Sequence, residues 1–212
     1  MSRKKREAAE TGPLPDVPNA PETPSALPPP ASSDGRTPAD VKLDRRIGWG
    51  LFIAATVLLL VTEKPAGFVR DESVYFASAE QHARWFQLLV SSPSQAFTDA
   101  AISQSFEFNH EHPALMKNLY GLSFLLLHEK LEILRPAAAF RFPAFLAAAL
   151  ILPLLFSLTR RVFGRPAGLM AALSFLLVPR QFFEAHLSCF DVPMATAWLL
   201  MWKPSASSAI EL

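Results

Sequence analysis

The stretch FPAFLAAALILPLLFSLT, residues 142–159, decides the fold, because it lies between Arg141 and Arg160 and carries no charged side chain. A helix needs about 20 predominantly apolar residues to cross the hydrocarbon core of a bilayer, which is roughly 30 Å thick. The run comes close to that length without interruption by a charge. It therefore predicts a membrane-spanning helix.

Three further apolar segments extend this interpretation to an all-α fold, a polytopic bundle of membrane helices. The segments cover residues 47–62, 166–183 and 192–202. The last of them has only 11 residues between Asp191 and Lys203, enough to cross about half of a bilayer. We therefore expect a partial membrane module over 47–203 that is cut short in its fourth span, followed by a polar tail over 204–212.

Charges between the apolar segments predict the orientation of the spans. A basic cluster precedes the first span, the short loop 160–165 has three arginines and no acid, and the region after the first span is acidic. Cytoplasmic loops of membrane proteins carry an excess of lysine and arginine. The pattern predicts a cytoplasmic N-terminus and an outer loop over 63–141. Within that loop, the short apolar run 119–127 is expected to form an interfacial or re-entrant helix instead of a span.

Composition excludes several other classes of protein. The 212 residues are 50% hydrophobic and carry a net charge of +1, which argues against a nucleic-acid partner, because nucleic-acid binders have a clear basic excess. The only cysteine, Cys189, excludes an internal disulfide framework and a multi-cysteine metal site. Residues 1–46 hold nine of the 19 prolines and few large apolar side chains, so we predict a disordered tail there.

Acidic residues at two places on the predicted outer side are candidate active-site residues. Asp71 and Glu72 begin an amphipathic segment, 69–86, that is expected to form a helix on the bilayer surface. Acidic side chains stabilise a helix N-terminus through the helix dipole, so the pair has a structural role of this kind. The alternative is a functional role as a general base or metal ligand. Asp191 has two interpretations as well, helix N-cap or site residue, because it stands where the last apolar helix begins.

A second polar cluster lies on both sides of Pro113, within residues 106–121. It contains Glu107, His110, Glu111, His112 and Lys117. These residue types suit a divalent cation, but their spacing matches no metal motif of fixed geometry, so a solvated loop explains the cluster equally well. Four positively charged side chains are also predicted near the outer boundary of the membrane. They would either bind a phosphate group or extend from the apolar segments towards the membrane–water interface, as flanking lysines and arginines commonly do. They are Arg70, Lys117, Arg141 and Arg180.

The order of these motifs resembles the N-terminal part of the GT-C glycosyltransferases of the protein O-mannosyltransferase and aminoarabinose transferase type (family 39 and the RgtA/B/C/D-like group). The first span is followed by Asp-Glu-x-x-Tyr at 71–75, His-Pro at 112–113, the arginine-led span after Arg141 and Phe-Asp-Val-Pro at 190–193. The resemblance covers about 47–202. The chain departs from the family in having His-Pro-Ala where His-Pro-Pro is usual, and family members run to several hundred residues.

The resemblance implies an inverting transferase of the bacterial inner membrane. Such an enzyme takes a sugar from a polyprenyl-phosphate carrier and transfers it, on the outer side, to a glycan, lipid or protein acceptor. It implies catalytic roles for Asp71, Glu72 and Asp191 and a divalent metal ion held with the help of Glu111. The side chains expected to bind substrate are Tyr75, His112, Lys117 and Arg141.

The competing interpretation is a non-enzymatic multi-span membrane protein, a transporter fragment or a truncated, inactive transferase. Transporters place ionisable residues or broken helices near the midplane of the bilayer. Here the acids of interest cluster at one predicted boundary, which favours the transferase.

Overall fold

The computed structural model describes residues 37–64 and 67–208, and this part of the chain is helical with no β-strand. It confirms the predicted all-α class, while the predicted disordered tail over 1–36 lies outside the described residues. The helices are α1 Pro38–Val61, α2 Arg70–Ser91, α3 Pro93–Ala96, α4 Asp99–Phe106, α5 Ala114–Phe124, α6 Pro136–Leu177, α7 Pro179–Glu184 and α8 Asp191–Ser208. A π-helical turn, Leu125–Lys130, follows α5.

Helix α6 consists of two arms that meet at Gly164. The backbone there has φ 82° and ψ 173°, a conformation that is open essentially only to glycine and that breaks the helix. Phe156 of the first arm and Ala172 of the second lie in one buried cluster, so the second arm folds back along the first. The arms correspond to the helices predicted at 142–159 and 166–183, but the second ends earlier than predicted.

The early end of the second arm has a local cause. Val178 adopts an extended conformation, with φ −75° and ψ 116°, directly before Pro179. Proline disfavours helical geometry at the residue before it and cannot donate a backbone hydrogen bond to continue a helix. The chain therefore restarts as the short helix α7. Within the described residues, α6 is the one helix that is long and apolar enough to cross a membrane.

Helix α1 begins nine residues before the predicted span, so the prediction of disorder is wrong for residues 37–46. Thr37 Oγ1 accepts a hydrogen bond from the Asp40 backbone N–H at 3.2 Å, and the Asp40 carboxylate accepts one from the Thr37 N–H at 3.1 Å. This reciprocal cap satisfies donors at the helix start, and Pro38 occupies the first helical turn, where its missing N–H costs nothing.

Acidic side chains of α1 pair with the arginines of the 160–165 turn. Arg165 donates to Asp40 and to Asp44, each at 2.7 Å, and Arg160 lies 2.9 Å from the other oxygen of Asp44. The basic loop predicted from the sequence is therefore joined to the first turns of α1 through ion pairs.

The first arm of α6 packs against α1, α5 and α8. Leu59 of α1 lies in a buried cluster with Phe145 and Ala148, and Thr196 of α8 donates a hydrogen bond to the Ala147 carbonyl at 2.9 Å. Tyr120 of α5 is fully buried against the same arm. Helix α2 packs on α5. Its start lies against the start of α6, because Glu72 accepts a hydrogen bond from Arg141.

Candidate active site

Three separate segments meet around one aromatic cluster, formed by Tyr75, His112 and Phe190. The ring centre of Tyr75 lies 4.7 Å from that of Phe190 and 5.5 Å from that of His112, with edge-to-face geometry in both pairs. His112 and Phe190 stack with centres 5.7 Å apart. The cluster joins α2, the loop before α5 and the residue that precedes α8.

The two exposed carboxylates of the predicted site flank this cluster. Asp71 lies in the first turn of α2, about one turn before Tyr75, and Asp191 is the first residue of α8, directly after Phe190. Both side chains are exposed, so both are open to solvent and to a ligand. The structure thus brings the start of α2, with Asp71 and Tyr75, together with His112 and the segment of Phe190 and Asp191, which lie far from it in the sequence.

The phenol of Tyr75 has an acidic surrounding. Burial raises the pKa of Tyr75. Neighbouring groups that are negative when ionised raise this pKa further, and they are Cys189, Asp71, Asp191 and Glu111. The phenol therefore keeps its proton at neutral pH and can donate a hydrogen bond. Burial also raises the pKa of Cys189 to about 12, which keeps this thiol protonated and a poor nucleophile.

Glu72 faces inward, in contrast to its neighbour Asp71. Its carboxylate accepts two hydrogen bonds from Arg141, from Nε at 2.7 Å and from Nη2 at 2.6 Å, and a third from the Ser188 backbone N–H at 3.0 Å. Arg141 also donates to Glu63 at 3.2 Å and to the Gly67 carbonyl. Glu63 is paired in addition with Arg135, at the start of α6.

These contacts form a clamp, which we define as Glu63, Glu72, Arg135 and Arg141, and in which all but Arg135 are buried. The side chains of Glu72 and Arg141 are 0% and 1% exposed. The clamp joins the end of α1, the start of α2, the start of α6 and the segment before α8, so it fixes both helix starts that carry Asp71 and Asp191. This geometry favours positioning roles for Glu72 and Arg141 over the predicted contacts with substrate.

Glu111 lies on the exposed loop beside His112. Its carboxylate accepts a hydrogen bond from the Asn109 amide at 3.1 Å and lies 3.7 Å from Nδ1 of His112. A hydrogen bond from its own backbone N–H, then the nearby His112 and His110, lowers the pKa of Glu111. Among the residues that the structure describes, no three His, Cys, Asp or Glu side chains converge as a metal site. No step below uses a metal ion.

Lys117 is buried behind this loop. Its Nζ donates to the Asn109 carbonyl at 2.5 Å, a contact that fixes the loop before α5. Burial lowers the pKa of Lys117, and Glu111 opposes that effect. Lys117 and Glu111 both line a cavity of about 340 Å³, and His112 of the aromatic cluster lines it as well.

The sequence interpretation missed several residues that shape this region: Glu63, His82, Arg135 and Phe190. For one of them, His82, the sequence pattern did contain a signal. His82 follows Tyr75 and Ala79 at helical spacing on the buried face of α2, and a histidine on such a face indicates a buried polar group. Glu63 and Arg135 gave no local signal, because they meet across 72 residues of chain.

No protein-family model, no curated protein and no solved structure matches the chain. The resemblance to the GT-C transferases therefore stays a prediction that is drawn from the sequence motifs alone.

Proposed function

We propose that the chain is a membrane glycosyltransferase, or part of one, that transfers a sugar from a polyprenyl-phosphate carrier to an acceptor hydroxyl at the outer surface of the bacterial inner membrane. The observation that carries the proposal is the meeting of Asp71 and Asp191 at the aromatic cluster. Two exposed carboxylates held by the clamp are a suitable arrangement for orienting and deprotonating a hydroxyl group.

Placement at a membrane is supported by the outward faces of the helices. Side chains on α1 and α8 leave large apolar surfaces exposed, and contiguous apolar surfaces of this kind are typical of lipid or protein contacts. The exposed residues include Trp49, Ile53, Val57 and Val61 of α1 and Trp198, Met201 and Trp202 of α8. In the proposed arrangement these faces lie in the bilayer, together with the first arm of α6.

The proposed reaction is a single displacement at the anomeric carbon. The acceptor hydroxyl gives its proton to the Asp71 carboxylate as its oxygen bonds to the anomeric carbon. The bond from that carbon to the carrier phosphate oxygen breaks, and the phosphate leaves with the electron pair. In this proposal Asp191, which directly follows Phe190 of the aromatic cluster, orients the acceptor through a second hydrogen bond.

Negative charge that develops on the leaving phosphate needs a stabilising donor. Arg141 is enclosed in the clamp and Lys117 is fixed to Asn109, so neither is arranged for this task. Arg70 is exposed and directly precedes Asp71 in the chain, and in this proposal it is the donor for the phosphate. The phenol of Tyr75 is a further donor of the same cluster.

Transfer of labelled sugar from polyprenyl-phosphate donors, measured in proteoliposomes, tests the proposal. Wild-type protein is expected to label a glycan, lipid or peptide acceptor. Asp71→Asn is expected to lower the rate by about 100-fold or more, the usual contribution of a general base. The matched control is Glu80→Gln, which alters an exposed acid on the same helix and should leave the rate unchanged. Absence of transfer from every donor, or full activity of Asp71→Asn, would contradict the proposal.

A further inference from the structure

A groove of about 710 Å³ lies between α1, the first arm of α6 and α8. Its wall is mostly apolar and includes Trp49, Phe52, Leu150, Pro153, Ala197 and Leu200. Because Trp49, Ala197 and Leu200 are exposed, the groove opens to the molecular surface and a ligand can enter it from the side. Its volume falls within the range of ligand sites in proteins.

The length of the groove suits an extended chain. Its lining residues on the first arm of α6 run from Leu146 to Arg160, which is about 20 Å of helix at about 1.5 Å per residue. The hydrocarbon of one bilayer leaflet is about 15 Å deep, half of the roughly 30 Å of the whole core. One acyl chain that lies along the helix axis therefore fits within the groove.

Hydroxyl groups in the groove wall are engaged inside the protein. Thr196 Oγ1 lies 2.9 Å from the carbonyl oxygens of both Ala147 and Val192. Ser157 Oγ donates to the Leu154 carbonyl at 3.0 Å. Neither hydroxyl hydrogen is available to a ligand, so this part of the wall favours an apolar ligand segment.

One end of the groove is charged. It lies where α1 begins and the first arm of α6 ends, and its charged lining residues are Asp44, Arg45 and Arg160. Asp44 is paired with Arg160 at 2.9 Å and with Arg165 at 2.7 Å, so its negative charge is compensated within the protein. Arg45 is exposed. Two arginines and one aspartate give this end of the groove an excess of positive charge.

A groove that is apolar along its length and positive at one end is complementary to an amphiphile with an apolar tail and an anionic head. We infer that the groove binds one acyl chain of an anionic phospholipid, with the lipid phosphate at Arg45. The inference rests on the membrane placement given under the proposed function, in which the Arg45 end is cytoplasmic, but not on sugar transfer.

This lipid is distinct from the sugar carrier of the proposed reaction. At the end of the groove away from Arg45, the wall includes Met116 of α5 and Pro193 of α8. Pro193 follows Asp191 by two residues. A carrier phosphate at Asp71 and Asp191 would therefore lie at the end opposite to the phospholipid phosphate.

Native mass spectrometry of the full chain, released from detergent micelles, tests this inference by counting the lipid molecules that stay bound. The probes are phosphatidylglycerol, which is anionic, phosphatidylcholine, which is zwitterionic, and a polyprenyl phosphate. We expect one phosphatidylglycerol per chain, bound about fivefold more tightly than phosphatidylcholine, since one arginine near an anionic headgroup contributes about that factor.

Two pairs of variants locate the lipid. Arg45→Gln should remove the preference for phosphatidylglycerol, whereas Arg46→Gln changes an exposed neighbour outside the groove and should retain it. Ala197→Phe places a ring in the groove and should weaken binding of both phospholipids by about tenfold. Ala54→Phe is its control, because Ala54 is exposed on α1 outside the groove. All four side chains are exposed, so the variants should fold.

Several results would overturn the inference. They are no retained phospholipid, equal binding of the two phospholipids by the wild type, tighter binding of the polyprenyl phosphate, or the same behaviour of both arginine variants. A lipid-free dimer that Ala197→Phe dissociates would also overturn it, because a second copy of the chain would then occupy the groove.

Lipid binding and sugar transfer can fail separately. Retention of phosphatidylglycerol by a preparation without transfer activity would support the groove and count against the proposed function. Transfer activity without any retained phosphatidylglycerol would overturn the groove and leave the proposed function standing.

Discussion

Glu72 and Arg141 join α2 to α6 through two nearly parallel hydrogen bonds, 2.7 and 2.6 Å long, between fully buried side chains. The adjacent residue, Asp71, is exposed. Two neighbouring acids at one helix start therefore have different environments, one fixed inside the protein and one exposed to solvent. This division of roles is the basis of the first prediction.

Arg141→Leu should destabilise the protein strongly, because Glu63 and Glu72 would keep their charges in a buried site without the guanidinium. Removal of one partner from a buried ion pair costs about 3–5 kcal/mol. The double variant with Glu72→Leu should recover part of that loss, because one of the two uncompensated charges is removed as well. The free energies of unfolding come from denaturant titration of protein in mixed micelles.

The exposed pair Arg84–Glu80 on α2 provides the control for this measurement. Arg84→Ala should change the free energy of unfolding by less than about 1 kcal/mol, since exposed ion pairs contribute little. Equal, small losses in Arg84→Ala and Arg141→Leu would show that the clamp does not hold the helix starts together.

Gly121 allows α2 and α5 to approach closely. A Cβ atom at Gly121 would lie 2.5 Å from the Ala79 carbonyl oxygen and 3.2 Å from the Ala83 nitrogen, both backbone atoms that cannot move independently. Gly121→Ala should therefore separate the two helices and cost about 1–3 kcal/mol, the usual range for overpacking. Thermal unfolding, followed by circular dichroism, would measure the loss.

Gly50→Ala is the matched control for that substitution. Gly50 also lies within a helix, α1, but a Cβ atom there has no neighbour within 4 Å among the described residues. The substitution should leave stability unchanged or raise it by about 0.5–1 kcal/mol through helix propensity. A similar loss in both variants would contradict the close-approach argument.

Asp40 should make the stability of the folded protein depend on pH in the acid range. Hydrogen bonds from Arg165, and then from Thr37, lower the pKa of Asp40 from 3.8 to about 2. A group with a lowered pKa in the folded state contributes stability above its ordinary pKa, and that contribution is lost as the pH falls through the lowered value. The stability difference between wild type and Asp40→Asn should therefore disappear between pH 3.8 and about 2.

Unfolding curves at a series of pH values would show this effect. The wild-type protein should lose stability over the interval, whereas Asp40→Asn should lack that part of the loss. If both proteins had the same pH dependence, the pairing of Asp40 with Arg165 would not contribute to stability.

Hydropathy predicted the two arms of α6, because an uncharged apolar run as long as 142–159 favours a helix. A loop between the two arms of α6 was also predicted, since the three arginines at 160–165 interrupt the apolar pattern. The start of α1 was missed although its signal was present. Thr37 and Asp40 have the spacing of a capping box around Pro38, but the proline-rich composition before them suggested continued disorder.

The pairing of charges could not be predicted, because it depends on contacts between distant parts of the chain. Glu72 and Arg141 are 69 residues apart, and Asp44 and Arg165 are 121 apart. The sequence indicated that these residues lie near a membrane boundary, but it could not distinguish a side chain that binds substrate from one that is enclosed in an ion pair. The convergence of Asp71 and Asp191 was predicted only as a shared side of the membrane, and the aromatic cluster that joins their helix starts became visible in the structure.

The most direct test of the account is the membrane sidedness of Asp71 and Asp191, whose shared outer location is its central claim. Asp71→Cys and Asp191→Cys, each made in a Cys189→Ser background, would be labelled in sealed inside-out and right-side-out vesicles with a maleimide that does not cross the membrane. The account predicts that both positions react only in right-side-out vesicles, from the outer surface. Labelling of the two positions from opposite sides, or of both from the cytoplasmic side, would contradict it.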